Sequence, residues 1–256
     1  MTPDQITRYR SKAAIVAMAW QQTLSEPPTL HALILAMAVA DFETRLGDAG
    51  GTWKGEHNWG AIHKRSLTPE EASILLGHGV YATGDDALRT ARGLLAAGAG
   101  ANEALHIDKN SVGPYFVWFW AFPNDTEGAG KYLEILVKNR PGVRAIIDTA
   151  TPVQLAAALY TTKYFEGTSK DPQENIRAYG AQVAAYAAKI ESALQGWPPA
   201  SPAGPLTPGA AAGAGAWAGG ARPTPPALAR GGNAMWWWAS IACVGVGAFY
   251  FGRRGA

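Results

Sequence analysis

Cysteine is almost absent from this sequence, and charged residues are scarce. The single cysteine, Cys243, excludes an internal disulfide and a metal site built from thiolates. Charged residues make up 16% of the 256-residue chain, and the formal net charge is only +2. Because a nucleic-acid-binding surface needs a concentration of positive charge, we expect no nucleic-acid partner.

Several motifs of cofactor and metal chemistry are also missing. The histidines lack metal-ligand spacing, and no His-Glu-x-x-His sequence occurs. The Gly-x-Ser-x-Gly turn of serine hydrolases does not occur either. Gly128-Ala129-Gly130-Lys131 is not a phosphate-binding loop, because Asp125 replaces the first glycine and Tyr132 the serine or threonine of that motif. The sequence therefore predicts neither a metal nor a cofactor.

The chain does contain a long apolar segment, residues 30–46, with the periodicity of a helix. Apolar residues cover most of the helical circumference, which is typical of a buried helix. Thr29 is the predicted N-cap, and Gly47 is the predicted end because glycine readily takes the left-handed conformation. Glu43 then falls in the last helical turn.

The position of Glu43 favours a role as a general acid. Burial and the negative end of the helix dipole both raise the pKa of a carboxyl group there. A carboxylic acid that stays protonated near neutral pH can donate its proton to a leaving group. The alternative is that Glu43 points into water, or pairs with Arg45 or Arg65.

The residues around Glu43 repeat a known pattern. FETRLGD at the helix end is followed, across a Gly-rich loop, by NWGAIH. This arrangement resembles the bacterial and phage glucosaminidases of the lysozyme superfamily, of the flagellar and autolysin type (glycoside hydrolase family 73). Their helix ends in Glu-Ser-x-x-Gly and precedes Asn-x-Phe/Trp-Gly-Ile-Lys. The matching residues are Glu43, Gly47, Asn58, Trp59, Gly60 and Ile62. The sequence departs from the pattern at Thr44, at the additional Ala61 and at His63, which stands where lysine is usual.

Further helices and one hairpin are predicted in the first 195 residues. The hairpin at 104–122 has a strand at 105–107, a turn at 109–114 and a second strand at 115–122. Residues 3–24 imitate a signal peptide, but their Ala-rich run is short, and we predict a helix. The other predicted helices are residues 68–77, 85–97 and 125–139, one from 141, one from 151–152, and 171–195.

The resemblance extends over about residues 3–195 and implies a fold and a substrate. The implied fold is α+β and mostly helical: a lysozyme-like domain in which a cleft separates a helical lobe from a small β lobe. Residues 68–97 then form an insertion, because family members have a shorter connection there. The implied activity is that of an endo-β-N-acetylglucosaminidase, which cleaves the glycan strands of peptidoglycan.

The resemblance also implies roles for individual residues. Glu43 would protonate the leaving glycosidic oxygen. The second acidic residue is expected before the aromatic strand, where Asp108 and Glu103 are the candidates. The alternative for Asp108 is that it only caps its turn, and the alternative for Tyr160 is a place in the core. The residues implied in substrate binding are Asn58, Trp59, Gly60, His63, Trp118, Tyr160 and Tyr164.

Two other functions fit the same residues. The fold with one glutamate also serves muramidases and lytic transglycosylases, which cleave the same polymer. A membrane-anchored wall-binding protein or a virion structural protein would keep the fold without the activity. Four departures from the family pattern bear on this second alternative: Thr44, His63, the inserted helix and the Asp-Pro pair that is missing after Tyr160.

The end of the chain predicts a linker and a membrane anchor. Residues 196–233 are rich in Pro, Gly and Ala, which predicts a flexible linker. Residues 234–252 predict a transmembrane helix, whose uncharged 17-residue run from Met235 to Phe251 spans roughly 25 Å. Aromatic residues flank this run, and a basic tail, 253–256, follows. The expected partner is a lipid bilayer, with the domain facing the cell wall or held in a phage virion membrane. The alternative is a buried C-terminal helix.

Overall fold

The first two helices lie in the main hydrophobic core. The computed structural model describes residues 1–48, 57–100, 102–110 and 113–197. α1 spans Pro3–Leu24 and α2 spans Leu30–Thr44. Thr29 caps α2 as predicted, since its hydroxyl accepts a 3.1 Å hydrogen bond from the backbone N–H of Ala32. Because 12 of the 15 residues of α2 are buried, the prediction of a buried helix is confirmed.

The end of α2 differs from the prediction. The helix ends at Thr44, and Arg45 (φ 54°), Leu46 (φ 58°) and Gly47 (φ 82°) follow in the left-handed conformation. A left-handed residue with a side chain costs about 1–2 kcal/mol, so this turn needs contacts from elsewhere. Arg8 in α1 supplies one, because its guanidinium donates a 2.6 Å hydrogen bond to the carbonyl of Arg45. The chain therefore leaves the helix earlier than predicted, directly after the turn that carries Glu43.

A three-stranded antiparallel sheet forms the β lobe. β1 spans His63–Ser66, β2 spans Glu103–Asn110 and β3 spans Gly113–Trp120, in the spatial order β1-β3-β2. β2 and β3 form the predicted hairpin. β1 was not predicted, because HKRS has no alternation of apolar and polar residues. It pairs with β3, with an irregularity in register between His63 and Arg65.

The two faces of the sheet have different surroundings. Side chains alternate between faces along a strand, so Glu103 and Asp108, five positions apart on β2, point to opposite faces. The Glu103 face packs against α3 (Pro69–Gly77) and α4 (Gly84–Leu95) in a second hydrophobic core. Members of this core are Leu75, Leu88, Leu95, Leu105, Phe116 and Trp118. The Asp108 face carries a smaller cluster of Ala61, Val117 and Phe119.

The two helices of the insertion start at or near the predicted positions. Thr68 and Glu71 form a capping box at the start of α3. α4 begins at Gly84 with Thr83 at its N-cap, so Asp85 lies in the first turn and does not cap the helix. A carboxylate in the first turn still interacts favourably with the helix dipole.

Four helices follow the sheet and join α1 and α2 in the main core. α5 spans Asp125–Leu133 and continues as a π-helix over Glu134–Lys138, so the predicted helix at 125–139 is confirmed with a change in its last turn. α6 spans Pro141–Arg144, α7 spans Pro152–Thr161 and α8 spans Pro172–Ala193. α8 packs against α2 and α7, and α5 packs against α1.

The predicted linker, membrane helix and basic tail lie outside the described residues, apart from Gly196 and Trp197. Among the residues that are described, no helix is long and apolar enough to cross a bilayer. The described residues belong to one compact unit. Its architecture, mostly helical with one small sheet, confirms the predicted α+β class and is consistent with a lysozyme-like domain. The tail segments stay predictions.

Candidate active site

Glu43 is buried at the end of α2 and held by a tyrosine from α8. Glu43 is only 8% exposed, and Tyr179 Oη donates a 2.8 Å hydrogen bond to Glu43 Oε1. Tyr179 is itself fixed, since its ring stacks on Phe165 at 3.9 Å and meets the edge of Phe42 at 5.2 Å. Glu43 therefore does not point freely into water, and Arg65, one of its alternative partners, pairs with other carboxylates.

Three buried tyrosines lie close to the Glu43 carboxylate. Burial raises the pKa of Tyr132, Tyr164 and Tyr179 well above its usual range, and the charge of Glu43 adds to each shift. All three hydroxyls are therefore neutral groups that can donate hydrogen bonds. Tyr132 Oη donates to the carbonyl of Ala36 at 2.7 Å, whereas Tyr164 Oη has no hydrogen-bond partner in the described part of the chain. The Tyr164 hydroxyl is thus buried beside Glu43 without a hydrogen bond of its own in this part of the chain.

Gly60 brings the NWGAIH segment against these tyrosines. A Cβ atom at Gly60 would lie 2.7 Å from a ring carbon of Tyr132 and 3.2 Å from Tyr164 Oη. Both distances are shorter than normal van der Waals contact, so only glycine allows this approach without a shift of its neighbours. The backbone that leads into β1 therefore lies against two of the tyrosines that surround Glu43.

Asn58 and Trp59 lie beneath the surface and shape this segment from inside. Both are 0% exposed. The Asn58 side chain accepts a hydrogen bond from the N–H of Ile62 at 2.8 Å, and donates to the carbonyls of Ile62 (3.1 Å) and Trp120 (3.0 Å). The indole N–H of Trp59 donates to Asp125 at 3.2 Å. These two residues fix the turn before His63 and do not offer an open face to a sugar.

A partly buried network of charges, not predicted from the sequence, ties four segments together near Trp59. Lys12 Nζ lies 2.7 Å from Asp125 Oδ2, 2.6 Å from Asp48 Oδ1 and 3.0 Å from the carbonyl of Leu46. His57 Nδ1 lies 2.9 Å from the other oxygen of Asp125. Burial acts to raise the pKa of Asp125, but hydrogen bonds from Lys12 and His57 outweigh it and hold this pKa below its usual value.

The two candidates for the second carboxylate have different partners. Glu103 accepts hydrogen bonds from Arg65 Nε at 2.8 Å and Arg65 Nη2 at 2.9 Å. These bonds lower the pKa of Glu103 to about 2, although burial opposes the shift. Arg65 also bridges to Glu71, at 2.8 Å and 3.0 Å. Glu103 thus belongs to an ion-pair cluster between the sheet and α3, away from the Asp108 face.

Asp108 forms a pair with His63 on the other face of the sheet. His63 Nε2 and Asp108 Oδ2 are in hydrogen-bond contact. The His63 side chain is 24% exposed and the Asp108 side chain 14%, so solvent reaches this pair, and the histidine more than the carboxylate. The edge of the His63 ring meets Phe119 with centroids 4.5 Å apart. The structure therefore brings these two predicted site residues together.

Trp118 and Tyr160, two of the predicted substrate-binding residues, differ in how far their rings are covered. Trp118 is 2% exposed within the second core, and its indole N–H donates to Glu71 at 3.2 Å, so its ring is covered by the α3–α4 insertion. Tyr160 is partly buried, with its ring 5.5 Å from that of Phe165. The structure thus places Trp118 on the sheet face opposite to His63, where it has no surface for a sugar.

A second buried carboxylate of α2, Asp41, was also missed. Burial raises its pKa, although the hydrogen bond from Tyr9 Oη at 2.7 Å and the charge of Arg8 oppose the shift. Two positions along a helix rotate a side chain by about 200°. Asp41 accordingly contacts α1, whereas Glu43 contacts α8. Among the described residues, no group of three or more His, Cys, Asp or Glu side chains is placed to hold a metal ion.

Comparisons with known proteins give two structural similarities. No protein-family model matches the chain, and no curated protein matches it. A peptidoglycan hydrolase mutant from Sphingomonas sp. A1 is similar with 16% sequence identity and a TM-score of 0.41, over 76% of this chain and 99% of that one. The glycoside hydrolase domain of FlgJ from Salmonella typhimurium is similar with 16% identity and a TM-score of 0.36, over 77% and 97%.

Proposed function

We propose that this chain is a peptidoglycan hydrolase in which Glu43 is the general acid. The observation that carries the proposal is the burial of Glu43 at the end of an apolar helix, where a tyrosine hydroxyl binds one of its oxygens. Buried carboxyl groups at the edge of a cleft are the proton donors of two-carboxylate glycosidases. The resemblance of FETRLGD and NWGAIH to the glucosaminidase pattern supports the same role.

The reaction we propose is cleavage of a glycosidic bond after N-acetylglucosamine. Glu43 protonates the leaving oxygen as the bond breaks, and charge develops on the sugar ring. We assign Asp108 as the second carboxylate, because its side chain is 14% exposed, whereas Glu103 is 5% exposed and neutralised by Arg65 on the face covered by α3 and α4. A general acid typically contributes about 10²–10⁴-fold to the rate.

Glycan strands of peptidoglycan are the proposed partner. The resemblance to the glucosaminidases implies that Tyr160 and Tyr164 line the sugar site; Tyr160 is partly buried, and the Tyr164 hydroxyl is buried. We assign His63 to the same site, and Gly60 allows the close approach of the backbone to Tyr132 and Tyr164. Asn58 and Trp59 contribute indirectly, since they hold the backbone of this segment in place.

Digestion of purified peptidoglycan by the full chain in detergent tests the proposal. We expect Glu43→Gln to lose activity by at least about 10²-fold, because glutamine keeps the shape and the acceptor for Tyr179 but has no proton to give. Asp41→Asn is the matched control: it changes the other buried carboxylate of α2 and should keep activity. Wild-type activity in Glu43→Gln would refute the proposed acid.

The new ends of the product identify the bond. A reducing N-acetylglucosamine supports the glucosaminidase, a reducing N-acetylmuramic acid a muramidase, and a 1,6-anhydro end a lytic transglycosylase. If the wild type binds several wall types and releases nothing from any of them, the protein is a wall-binding or virion structural protein instead. We also propose that residues 235–251 anchor the chain in a membrane, facing the wall or within a phage virion, on the basis of their uncharged, aromatic-flanked sequence.

A further inference from the structure

We propose that His63 is a catalytic base, and that Asp108 is the positioning residue that orients its ring. In this arrangement His63 takes the proton from the water that attacks the sugar, and Asp108 does not touch that water. The inference rests on the proposed glycosidase function and specifies how the second half of that site works. It also accounts for a histidine at the position where the glucosaminidase pattern has lysine.

The hydrogen bond between the two side chains determines which ring nitrogen is basic. His63 Nε2 is the atom in contact with Asp108 Oδ2. Because an ionised carboxylate only accepts hydrogen bonds, Nε2 carries the proton, and Nδ1 of the neutral ring is left as the acceptor. A ring held through one nitrogen with the other available for a proton is the arrangement of a histidine general base.

The ring is held in place by more than its carboxylate partner. The edge of Phe119 packs against it at 4.5 Å, with the two rings at 76°. Asn58 clamps both the N–H and the carbonyl of Ile62, the residue directly before His63. A general base is most effective when its position is fixed before the substrate binds. The contacts of Phe119 and Asn58 fix the position of the His63 ring in this way.

The other charged and titratable groups nearby do not offer an equivalent base. Lys64 and Arg65, the next residues of β1, both pair with Glu103 on the covered face. His106 lies on the same face as Asp108 and packs against Phe119 at 5.2 Å, but it is only 8% exposed. Tyr115 lies opposite Asp108 in the β2–β3 register. His63 is therefore the solvent-reached base on this face.

Gly60 links the pair to the proposed acid. Gly60 lies against Tyr132 and Tyr164, both of which interact with the charge of Glu43. Three residues of chain, from Gly60 to His63, span at most about 10 Å. An acid and a base on two sides of a cleft, with room for a water, are the arrangement of an inverting glycosidase, in which the groups lie about 6.5–9.5 Å apart.

The proposed step balances as follows. The water oxygen forms a bond to the anomeric carbon, and its proton goes to His63 Nδ1. The bond from the anomeric carbon to the glycosidic oxygen breaks, and its electron pair stays on that oxygen, which takes the proton of Glu43. The site is left with an imidazolium at His63 and a carboxylate at Glu43, which return to their starting states by proton exchange with solvent.

Kinetics of the full chain across pH test the proposal. We expect His63→Gln to lower kcat by about 10²–10⁴-fold with little change in KM, because glutamine can still donate to Asp108 but cannot take a proton. The wild type should lose activity as the solution is acidified, because a protonated imidazole cannot accept a proton, and this loss should be absent in His63→Gln. Imidazole added to His63→Ala should restore part of the activity. His78→Gln, an exposed histidine at the end of α3, should behave as the wild type.

Product stereochemistry completes the test, since a base that activates water gives inversion at the anomeric carbon. Asp108→Asn should lose kcat as well but keep an inverted product. Wild-type kcat in His63→Gln together with an inactive Asp108→Asn, or retention of configuration in the wild type, would overturn the role of His63 while leaving Glu43 as the acid. A wild type that releases no new chain ends would overturn the proposed function and this inference together.

Discussion

At the scale of single residues, the surroundings of Glu43 are set by a residue that is distant in the sequence. Tyr179 lies 136 positions away and holds the carboxylate. The burial of Glu43 could be predicted from the apolar helix that carries it, but its partner could not, because a hydrogen bond between distant segments leaves no local pattern. The pair of Lys12 and Asp125, 113 positions apart, was missed for the same reason.

Tyr179→Phe tests the hydrogen bond to Glu43. Phenylalanine keeps the stacking on Phe165 but removes the donor, so we expect the free energy of unfolding to fall by about 1–3 kcal/mol. We also expect kcat to fall with little change in KM, because the acid is no longer held in one position. Thermal unfolding and steady-state digestion measure the two effects.

Tyr164→Phe is the matched control for that variant. Within the described residues Tyr164 Oη donates no hydrogen bond, so the variant should unfold at about the wild-type temperature. Its kcat should also stay near that of the wild type, because Tyr179 and not Tyr164 donates the hydrogen bond to Glu43. If both tyrosine variants lose the same stability, the hydrogen bond to Glu43 does not account for the destabilisation of Tyr179→Phe.

The pair of Arg65 and Glu103 predicts a pH dependence of stability. Because the pKa of Glu103 falls from 4.5 to about 2 on folding, the folded state binds this proton less tightly than the unfolded state. The stabilisation is therefore present above about pH 4.5 and is lost as the pH falls toward 2. Glu103→Gln should lower the free energy of unfolding at pH 7 by about 1–3 kcal/mol, and less at lower pH. A difference that stays constant over this range would contradict the assignment.

At the scale of elements, the local sequence was sufficient to predict where several helices begin. Thr29, Thr151 and Asp171 cap helices at the predicted positions, because an N-cap side chain bonds within its own first turn. The end of α2 was misplaced, since Arg8 from another helix holds the left-handed turn there. β1 was missed because its partner strand, and not its own composition, makes it a strand.

The sheet shows why the sequence did not predict which of the two carboxylates is accessible. The spacing of Glu103 and Asp108 already puts them on opposite faces of a strand. The sequence does not say which face α3 and α4 cover, and that covering decides which carboxylate stays accessible. Trp118 was assigned to the cleft because its aromatic strand matched the family, and the same insertion buries it.

Gly60→Ala tests the turn between the helical lobe and β1. The new methyl would lie 2.7 Å from the ring of buried Tyr132, so we expect a loss of about 1–3 kcal/mol in stability and lower activity. Gly142→Ala is the control, because a methyl there meets nothing within 4 Å, and stability should hold or rise. Unfolding in denaturant compares the two variants, and equal stability would show that the approach at Gly60 is not tight.

At the scale of the whole molecule, the proposed anchor makes a prediction about solubility. The full chain should partition into the detergent phase, and residues 1–197 should stay in the aqueous phase, because only the former carries the uncharged run at 235–251. Val244→Arg places a charge at the centre of that run and should shift the full chain toward water. A full chain that remains aqueous would refute the anchor without affecting the site.

The presence of two hydrophobic cores bears on how a polymer reaches the catalytic groups. α2, which carries Glu43, lies in the main core, whereas the sheet that carries His63 and Asp108 has a core of its own behind it. Parts of a protein that are packed separately open with separate free energies. We therefore expect faster amide hydrogen exchange in β2 and β3 than in α2. Under the proposed function, an opening of the sheet while the helices stay folded would admit a glycan strand from the side, without the need for a chain end.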